Sequence, residues 1–180
     1  LVTERAGSEK GLLVTRYLDG SLPLRALISA EATRDGADRL MDAVAILLVR
    51  LHLEGFFWGD CSLSNTLFRR DAGQFAAYLV DAETGELHPA LSDGQRRHDL
   101  DIATENLAGG LLDLQAGFGL AEDVDPIALA PSVAGRYERL WDDLTRTEVY
   151  AANESWRIDA RLRHLNSLGF NVQEMEIETG

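Results

Sequence analysis

The strongest periodic pattern in the chain lies in residues 37–53, where apolar side chains recur three or four positions apart. They are Leu40, Val44, Leu47, Leu48 and Leu51. This spacing places them on one face of an α-helix. Gly55 follows the last of these positions and is typical of the residue that ends a helix.

Shorter apolar runs after this helix predict a hairpin. Residues 56–58 would bury their aromatic side chains and lead into a polar loop, and residues 66–68 predict the next short strand. Residues 71–73 supply a turn, because they contain aspartate and glycine. Residues 74–80 then predict a second strand, which places Asp81 at a strand end pointing back toward the loop.

The N-terminal residues predict a second hairpin. Residues 1–5 and 12–17 read as strands, and residues 7–11 read as the turn between them. Since an isolated hairpin is marginally stable in water, we expect these strands to belong to a small lobe that begins before Leu1 in a longer protein; the alternative is a protein that never had such a lobe. The first residue is also not a methionine.

Two more helices and a strand are predicted beyond Leu120. The apolar positions of the helices are Tyr137, Leu140, Trp141 and Leu144 in the first and Trp156, Ile158, Leu162, Leu165 and Leu168 in the second. Gly169 would end the second helix, and residues 170–177 alternate as a strand does. These patterns predict an α+β, predominantly helical fold, with a first domain in residues 1–120 and a helical extension in residues 121–180 that ends in a strand.

Composition limits the classes of function. The 180 residues are 46% hydrophobic, which is enough for a real core, and no apolar run reaches the roughly 20 residues that span a bilayer. A net charge of −13 argues against nucleic-acid binding, which needs clustered basic residues. The single cysteine excludes an internal disulfide framework, and we see no secretory signal, so we expect a soluble, cytoplasmic protein. The four histidines have no zinc-binding spacing.

The polar loop after residues 56–58 carries the candidate chemistry. Asp60 is followed five positions later by Asn65, and Asp81 comes after the predicted hairpin. In kinase-like phosphotransferases the first Asp orients the acceptor hydroxyl and takes its proton, whereas the Asn and the later Asp hold metal ions that bridge the ATP phosphates. Asp60, Asn65 and Asp81 fit these three roles, and the helix, loop and hairpin occur in the same order.

The chain therefore resembles the C-terminal lobe of protein-kinase-like enzymes over roughly residues 12–120. It is most similar to the bacterial branch that contains lipopolysaccharide kinases and aminoglycoside or choline phosphotransferases. The resemblance implies that residues 12–20 form the strand and hinge that touch adenine, with Tyr17 and Leu18 at the nucleotide and Leu67 under the adenine ring. It also implies that residues 21–24 open the next helix. The expected cofactors are ATP and Mg²⁺, and the expected partners are a nucleotide and an unknown hydroxyl acceptor or protein.

Residues 99–103 resemble the start of the buried helix whose Asp holds the catalytic loop in place in that superfamily. Two aspartates are available, and Asp101 is the predicted anchor rather than Asp99, because Ile102 and Ala103 follow it as they do in those phosphotransferases. Residues 58–65, 80–88 and 98–115 also resemble an actinobacterial group, the domain of unknown function 4032 proteins. That group has a kinase-like front portion, and the resemblance implies no reaction.

Several positions depart from the kinase pattern. The His-Arg-Asp triplet of protein kinases is replaced by Trp58, Gly59 and Asp60, and the Phe-Gly after the metal-binding Asp is replaced by Ala82 and Glu83. No G-x-G-x-x-G occurs, and the one lysine, Lys10, lies in the predicted turn, too close to the hinge to be the phosphate-contacting lysine.

Three functions stay open. The first is transfer of the ATP γ-phosphate to a hydroxyl. The second is a pseudokinase that binds a nucleotide or a protein without chemistry. The third, a metal-dependent hydrolase, lacks the His-rich ligand set that such sites usually show.

Overall fold

The computed structural model describes residues 2–5, 8–11, 17–30, 33–71, 74–118, 120–147 and 150–170, with the backbone alone for residues 2–11. The helices are α1 (Leu24–Ala30), α2 (Arg34–Leu53), α3 (Asp93–Phe118), α4 (Pro126–Leu129), α5 (Ser132–Thr145) and α6 (Ser155–Ser167), with 3₁₀ turns at Leu63–Asn65 and Ala152–Glu154. The strands are β1 (Val2–Arg5), β2 (Ser8–Gly11), β3 (Ser21–Pro23), β4 (Phe56–Phe57), β5 (Thr66–Asp71), β6 (Gln74–Leu79) and β7 (Glu86–Leu87). The fold is α+β and predominantly helical, as predicted.

Helix α2 is the predicted amphipathic helix. The hydroxyl oxygen of Thr33 caps its first turn by accepting a hydrogen bond from the Gly36 N–H at 3.2 Å. After its last turn, Gly55 adopts a φ of +73°, as predicted for the residue that ends the helix. The helix packs against both β6 and α5, and Leu40 and Leu48 are completely buried. Because it contacts both the sheet and the C-terminal helices, α2 joins the two parts of the core.

Strands β3, β5 and β6 form an antiparallel sheet in that order. Strands β5 and β6 are the predicted hairpin, in register with Thr66 opposite Leu79, and residues 72–73 of the predicted turn lie outside the described residues. Residues 21–23 do not open a helix as expected. They form β3, because their backbone pairs with β5, and the helix begins only at Leu24. Strands β4 and β7 form a separate antiparallel pair.

The N-terminal hairpin differs from the prediction in its register. Strand β1 pairs with β2, with Val2 opposite Gly11, so residues 8–11 form a strand where the sequence predicts a turn. Lys10 therefore lies on a strand, opposite Thr3. Residues 12–16 of the predicted second strand lie outside the described residues. Register is weakly specified in a polar hairpin, since no alternating apolar face selects one pairing.

The later helices complete the core. The buried apolar residues of α3 are Leu100, Ala103, Leu107, Leu111 and Leu114, those of α5 are Val133, Tyr137 and Leu140, and that of α6 is Leu165. They belong to the same hydrophobic cluster as α2, so the core includes residues on both sides of the proposed boundary at 120; the division into domains stays a prediction.

The last predicted helix is confirmed as α6, and Gly169 follows it with a φ of +79°. Trp156 was expected in its apolar stripe. It is instead 64% exposed, because it lies in the first turn of α6, away from the buried Leu165. The predicted strand beyond Phe170 lies outside the described residues. In the ranges that the structure describes, no helix has both the length and the apolar character needed to cross a bilayer.

Candidate functional site

The loop between β4 and β5 presents Asp60 to solvent. Gly59 adopts a φ of +75°, a conformation that glycine takes without strain, and it turns the backbone between the buried Trp58 and the exposed Asp60. The Ser62 N–H then donates to the Asp60 carbonyl oxygen at 2.7 Å, which closes a tight turn. The chain therefore passes from a buried to an exposed residue within two positions, and the Asp60 side chain is accessible to a ligand.

Hydrogen bonds bring Asn65 and the segment of Asp81 to the same place. The Val80 N–H donates to the Asn65 carbonyl oxygen at 2.9 Å, directly beyond the paired ends of β5 and β6. The Asp81 carboxylate is exposed, and one of its oxygens accepts from the Glu83 N–H at 3.2 Å. The structure thus joins the backbone at Asn65 to the backbone next to Asp81, as the kinase-like order of elements requires.

A further hydrogen bond joins the Asp81 segment to the Asp60 loop. The Thr84 hydroxyl donates to the Trp58 carbonyl oxygen at 3.2 Å. The segment that follows Asp81 and the segment that leads to Asp60 are therefore in direct contact, and the three predicted polar residues lie on connected pieces of backbone.

The loop is held by Asp99, and the prediction of Asp101 is wrong. The Asp99 side chain is completely buried and accepts hydrogen bonds from the Trp58 and Gly59 N–H groups, each at 2.7 Å. Asp101 is exposed. The periodicity of α3 contained the correct signal: Asp99 precedes Ala103 by one helical repeat of four and continues the buried row of that helix, whereas Asp101 falls on the other side.

Two residues of this anchor were missed as members of the site. The side chain of His52 is completely buried, and its Nε2 lies 3.2 Å from the Asp99 carboxylate. Its Nδ1 lies 2.8 Å from the hydroxyl of Tyr137 on α5. Because His52 falls late on the predicted helix, before Gly55, the sequence alone indicates a partly buried, structural role for it. No spacing relates it to Tyr137, which lies 85 positions away.

A second contact from α3 also fixes the loop. The Asn106 side-chain amide donates to the Cys61 carbonyl oxygen at 3.1 Å. Burial raises the pKa of the Cys61 thiol, and the nearby charges of Asp99 and Asp60 raise it further. The thiol is therefore protonated at neutral pH, and Cys61 is not a candidate nucleophile.

The three predicted adenine contacts are spread along the small sheet: Leu67 lies on β5 two residues after Asn65, whereas Tyr17 and Leu18 precede β3, whose Ser21 is opposite Arg69. Tyr17 is 82% exposed, and Leu18 is half-buried next to a turn in which its carbonyl oxygen accepts from the Ser21 hydroxyl at 2.8 Å. Leu67 is half-buried on β5, opposite Pro23 on one side and Tyr78 on the other. Strand β3 thus connects the turn at residues 17–20 to the strand that carries Leu67. Their role at a nucleotide stays a prediction.

A cleft lies elsewhere among the described residues. It has a volume of about 360 Å³ and is formed by α2, β6, α5 and α6, with Arg39, Arg139 and His164 among its polar residues. Asp60, Asn65 and Asp81 are not among the described residues that line it. Nor does any part of the chain that the structure describes bring three His, Cys, Asp or Glu side chains together as a metal-binding group. A metal at the loop would therefore need the Asn65 amide oxygen or ligand oxygens beside the Asp81 carboxylate.

Comparisons with known proteins gave matches to family models and to a solved structure. The domain of unknown function DUF4032 matches residues 139–180. This segment follows residues 58–65, 80–88 and 98–115, the three stretches that resemble that group in sequence. One solved structure, titled "WaaP in complex with acyl carrier protein", matches with 16% identity and a TM-score of 0.48, over 84% of this chain. This chain spans only 59% of the length of that one. A search of curated proteins gave no match.

The match that covers most of the candidate site is to a family of kinase-like phosphotransferases. It extends over residues 2–108, which is more than half of the chain and includes Asp60, Asn65, Asp81 and Asp99. The chain therefore belongs to the lipopolysaccharide kinase (Kdo/WaaP) family.

Proposed function

We propose that this protein is an Mg²⁺-dependent phosphotransferase that moves the γ-phosphate of ATP to a hydroxyl group. The observation that carries the proposal is the set of backbone hydrogen bonds that hold the Asp60 loop, Asn65 and the Asp81 segment together, above an anchor on a buried Asp99. Family membership supports the reaction class, and the acceptor is left open.

Asp60 is the proposed catalytic base. Its side chain is exposed while its backbone is fixed on both sides, by Asp99 before it and by the turn to Ser62 after it. A carboxylate held in this way can accept a hydrogen bond from an acceptor hydroxyl, orient its oxygen toward the phosphorus and take its proton. Positioning supplies most of the catalysis in phosphoryl transfer, so the rigidity of the loop matters as much as the charge.

Asn65 and Asp81 would hold the metal. An amide oxygen and a carboxylate are the hard oxygen donors that Mg²⁺ prefers, and Asp81 is exposed while Asn65 is half-buried. When bound, the ion neutralises charge on the transferring phosphate. Tyr17, Leu18 and Leu67 are the proposed contacts of the adenine, since the first two flank the turn into β3 and the third lies on the strand that pairs with it.

A non-catalytic nucleotide- or protein-binding module is the second candidate, and the loop sequence favours it. The position of the kinase histidine is taken by Trp58, which is buried and whose indole Nε1 finds no hydrogen-bond partner among the described residues. Ala82 and Glu83 follow Asp81 as exposed residues in place of the usual Phe-Gly.

Calorimetric titration of the longest natural form of the protein with ATP, with and without Mg²⁺, tests the proposal. We expect binding that requires Mg²⁺ and is lost in Asp81→Asn, while Asp123→Asn, an exposed aspartate in a distant turn, binds as the wild type does. Absence of ATP binding by a well-folded wild-type sample would refute the phosphotransferase and leave the protein-binding module. If ATP binds, release of γ-phosphate by the wild type but not by Asp60→Asn separates the enzyme from the module that only holds nucleotide.

A further inference from the structure

We propose that Tyr137, on helix α5, is a positioning residue for the Asp60 loop and acts on it through His52 and Asp99. Four hydrogen bonds connect helix α5 to the loop, two in sequence from Tyr137 to Asp99 and two from Asp99 to the backbone. Tyr137 Oη lies 2.8 Å from His52 Nδ1, His52 Nε2 lies 3.2 Å from Asp99 Oδ2, and the two Asp99 oxygens accept from the backbone N–H groups directly before Asp60 at 2.7 Å.

The chemistry of the partners fixes the direction of each bond. The Asp99 carboxyl group faces two backbone donors, so its oxygens act as acceptors and the Nε2 of His52 must carry a hydrogen that it donates. In the neutral ring the Nδ1 atom is then an acceptor, and the hydroxyl of Tyr137 is the donor that the described residues place beside it. Burial raises the pKa of Tyr137, and Arg96 opposes this only in part, so the hydroxyl keeps its proton.

Because these side chains are buried, water cannot easily replace the hydrogen bonds between them. The side chains of His52 and Asp99 are completely buried, and Tyr137 is 3% exposed. The Tyr137 ring stacks on Trp141, with centroids 5.7 Å apart, and meets the His52 ring edge-on at 5.3 Å. Removing the hydroxyl therefore leaves the ring in place and leaves Nδ1 without its donor.

The consequence is that the C-terminal part of the chain contributes to the candidate site without touching it. Helix α5 lies beyond the residues that match the kinase family, and Tyr137 is its contact with the loop anchor. When Tyr137 and Asp99 both hydrogen-bond the His52 ring, the ring holds the Asp99 carboxyl group in one orientation. When Asp99 is its only partner, the ring can tilt, and the carboxyl group that fixes the loop is held less firmly. The inference deepens the proposed function, since it assigns to α5 a role in orienting Asp60.

The test is Tyr137→Phe, with Tyr150→Phe as the matched control. Tyr150→Phe removes the same hydroxyl oxygen from a residue in the loop before α6, whose ring lies under Arg157. Nitrogen-15 NMR of the imidazole in the wild type should show the Nε2–H tautomer of His52 with a hydrogen-bonded Nδ1. In Tyr137→Phe the Nδ1 resonance should move toward that of an unbonded nitrogen. Amide hydrogen exchange of Trp58 and Gly59 should rise about five- to tenfold, as expected for the loss of one hydrogen bond in the chain.

Three results would overturn the inference. The first is an Nδ1–H tautomer in the wild type, which needs no variant to observe. The second is exchange at Trp58 and Gly59 that stays within about twofold of the wild type in Tyr137→Phe. The third is an equal rise throughout α2 and α5, which indicates general destabilisation. None of these measurements uses ATP, so they stand even if the proposed reaction fails. If ATP binds and transfer is observed, we also expect a lower kcat with an unchanged KM for ATP in Tyr137→Phe.

Discussion

Substituting Asp99 by asparagine should destabilise the protein far more than the same change at Asp101. Asp99→Asn keeps one acceptor oxygen but turns an amide group toward donors that the carboxylate now satisfies, which are the Gly59 N–H on one side or the Trp58 N–H and His52 Nε2–H on the other. Hydrogen bonds to a charged group contribute about 1.5–3 kcal/mol each, and breaking a buried charged arrangement costs about 3–5 kcal/mol. We therefore expect the free energy of unfolding to fall by about 3–5 kcal/mol, a large part of the ~5–15 kcal/mol that domains usually have.

Urea unfolding followed by circular dichroism measures this difference. Asp101→Asn is the matched control, because it makes the same chemical change two residues away on the exposed side of α3, where substitutions usually change stability by less than about 0.5 kcal/mol. Equal slopes in urea would show that the comparison is of stability alone. If the two variants differ by less than about 1 kcal/mol, Asp99 does not anchor the loop and the reasoning built on it fails.

Three further outcomes follow from the same contacts. Gly55→Ala should lower the free energy of unfolding by more than about 1 kcal/mol, because a Cβ at its φ of +73° would lie 2.0 Å from a backbone carbonyl oxygen. Gly109→Ala, in open space within α3, should raise it by about 0.5–1 kcal/mol. Thermal unfolding compares the two variants. Iodoacetamide at pH 8 should label Cys61 at least about tenfold more slowly in the folded than in the unfolded protein, since burial raises its pKa; equal rates would contradict this. Arg136→Met should destabilise by about 1 kcal/mol, and less at high salt, because it breaks ion pairs from α5 to two carboxylates of α2, whereas Arg139→Met should have little effect.

The parts of the fold that the sequence predicted are those that depend on local pattern. The helix at Arg34–Leu53 and the hairpin at β5 and β6 both show their period within a few residues, and Gly55 ends the helix with the backbone conformation that glycine favours. Because these elements determine where the loop between them lies, the sequence also located the candidate site residues Asp60, Asn65 and Asp81 on connected backbone.

The errors arose where local pattern was weak or was set aside. The choice of Asp101 followed the neighbouring residues rather than the helical period. Because residues two positions apart point to nearly opposite sides of a helix, Asp99 is buried and Asp101 is exposed. Strand β2 has no apolar alternation to fix its register. The contact between Tyr137 and His52 depends on how α5 packs on α2, which is a property of the assembled core that no stretch of sequence contains.

In the Asp60 loop, the charged side chain does not make the hydrogen bonds that hold the loop in place, and this has a practical consequence. The side chain at position 60 is exposed, and the bonds that hold the loop are made by backbone atoms and by Asp99. Asp60→Asn should therefore remain folded and keep the surface of the site while it lacks the group that would take a proton. Such a variant is suited to serve as bait in crosslinking experiments, in which an acceptor that is bound but cannot react stays long enough to be identified.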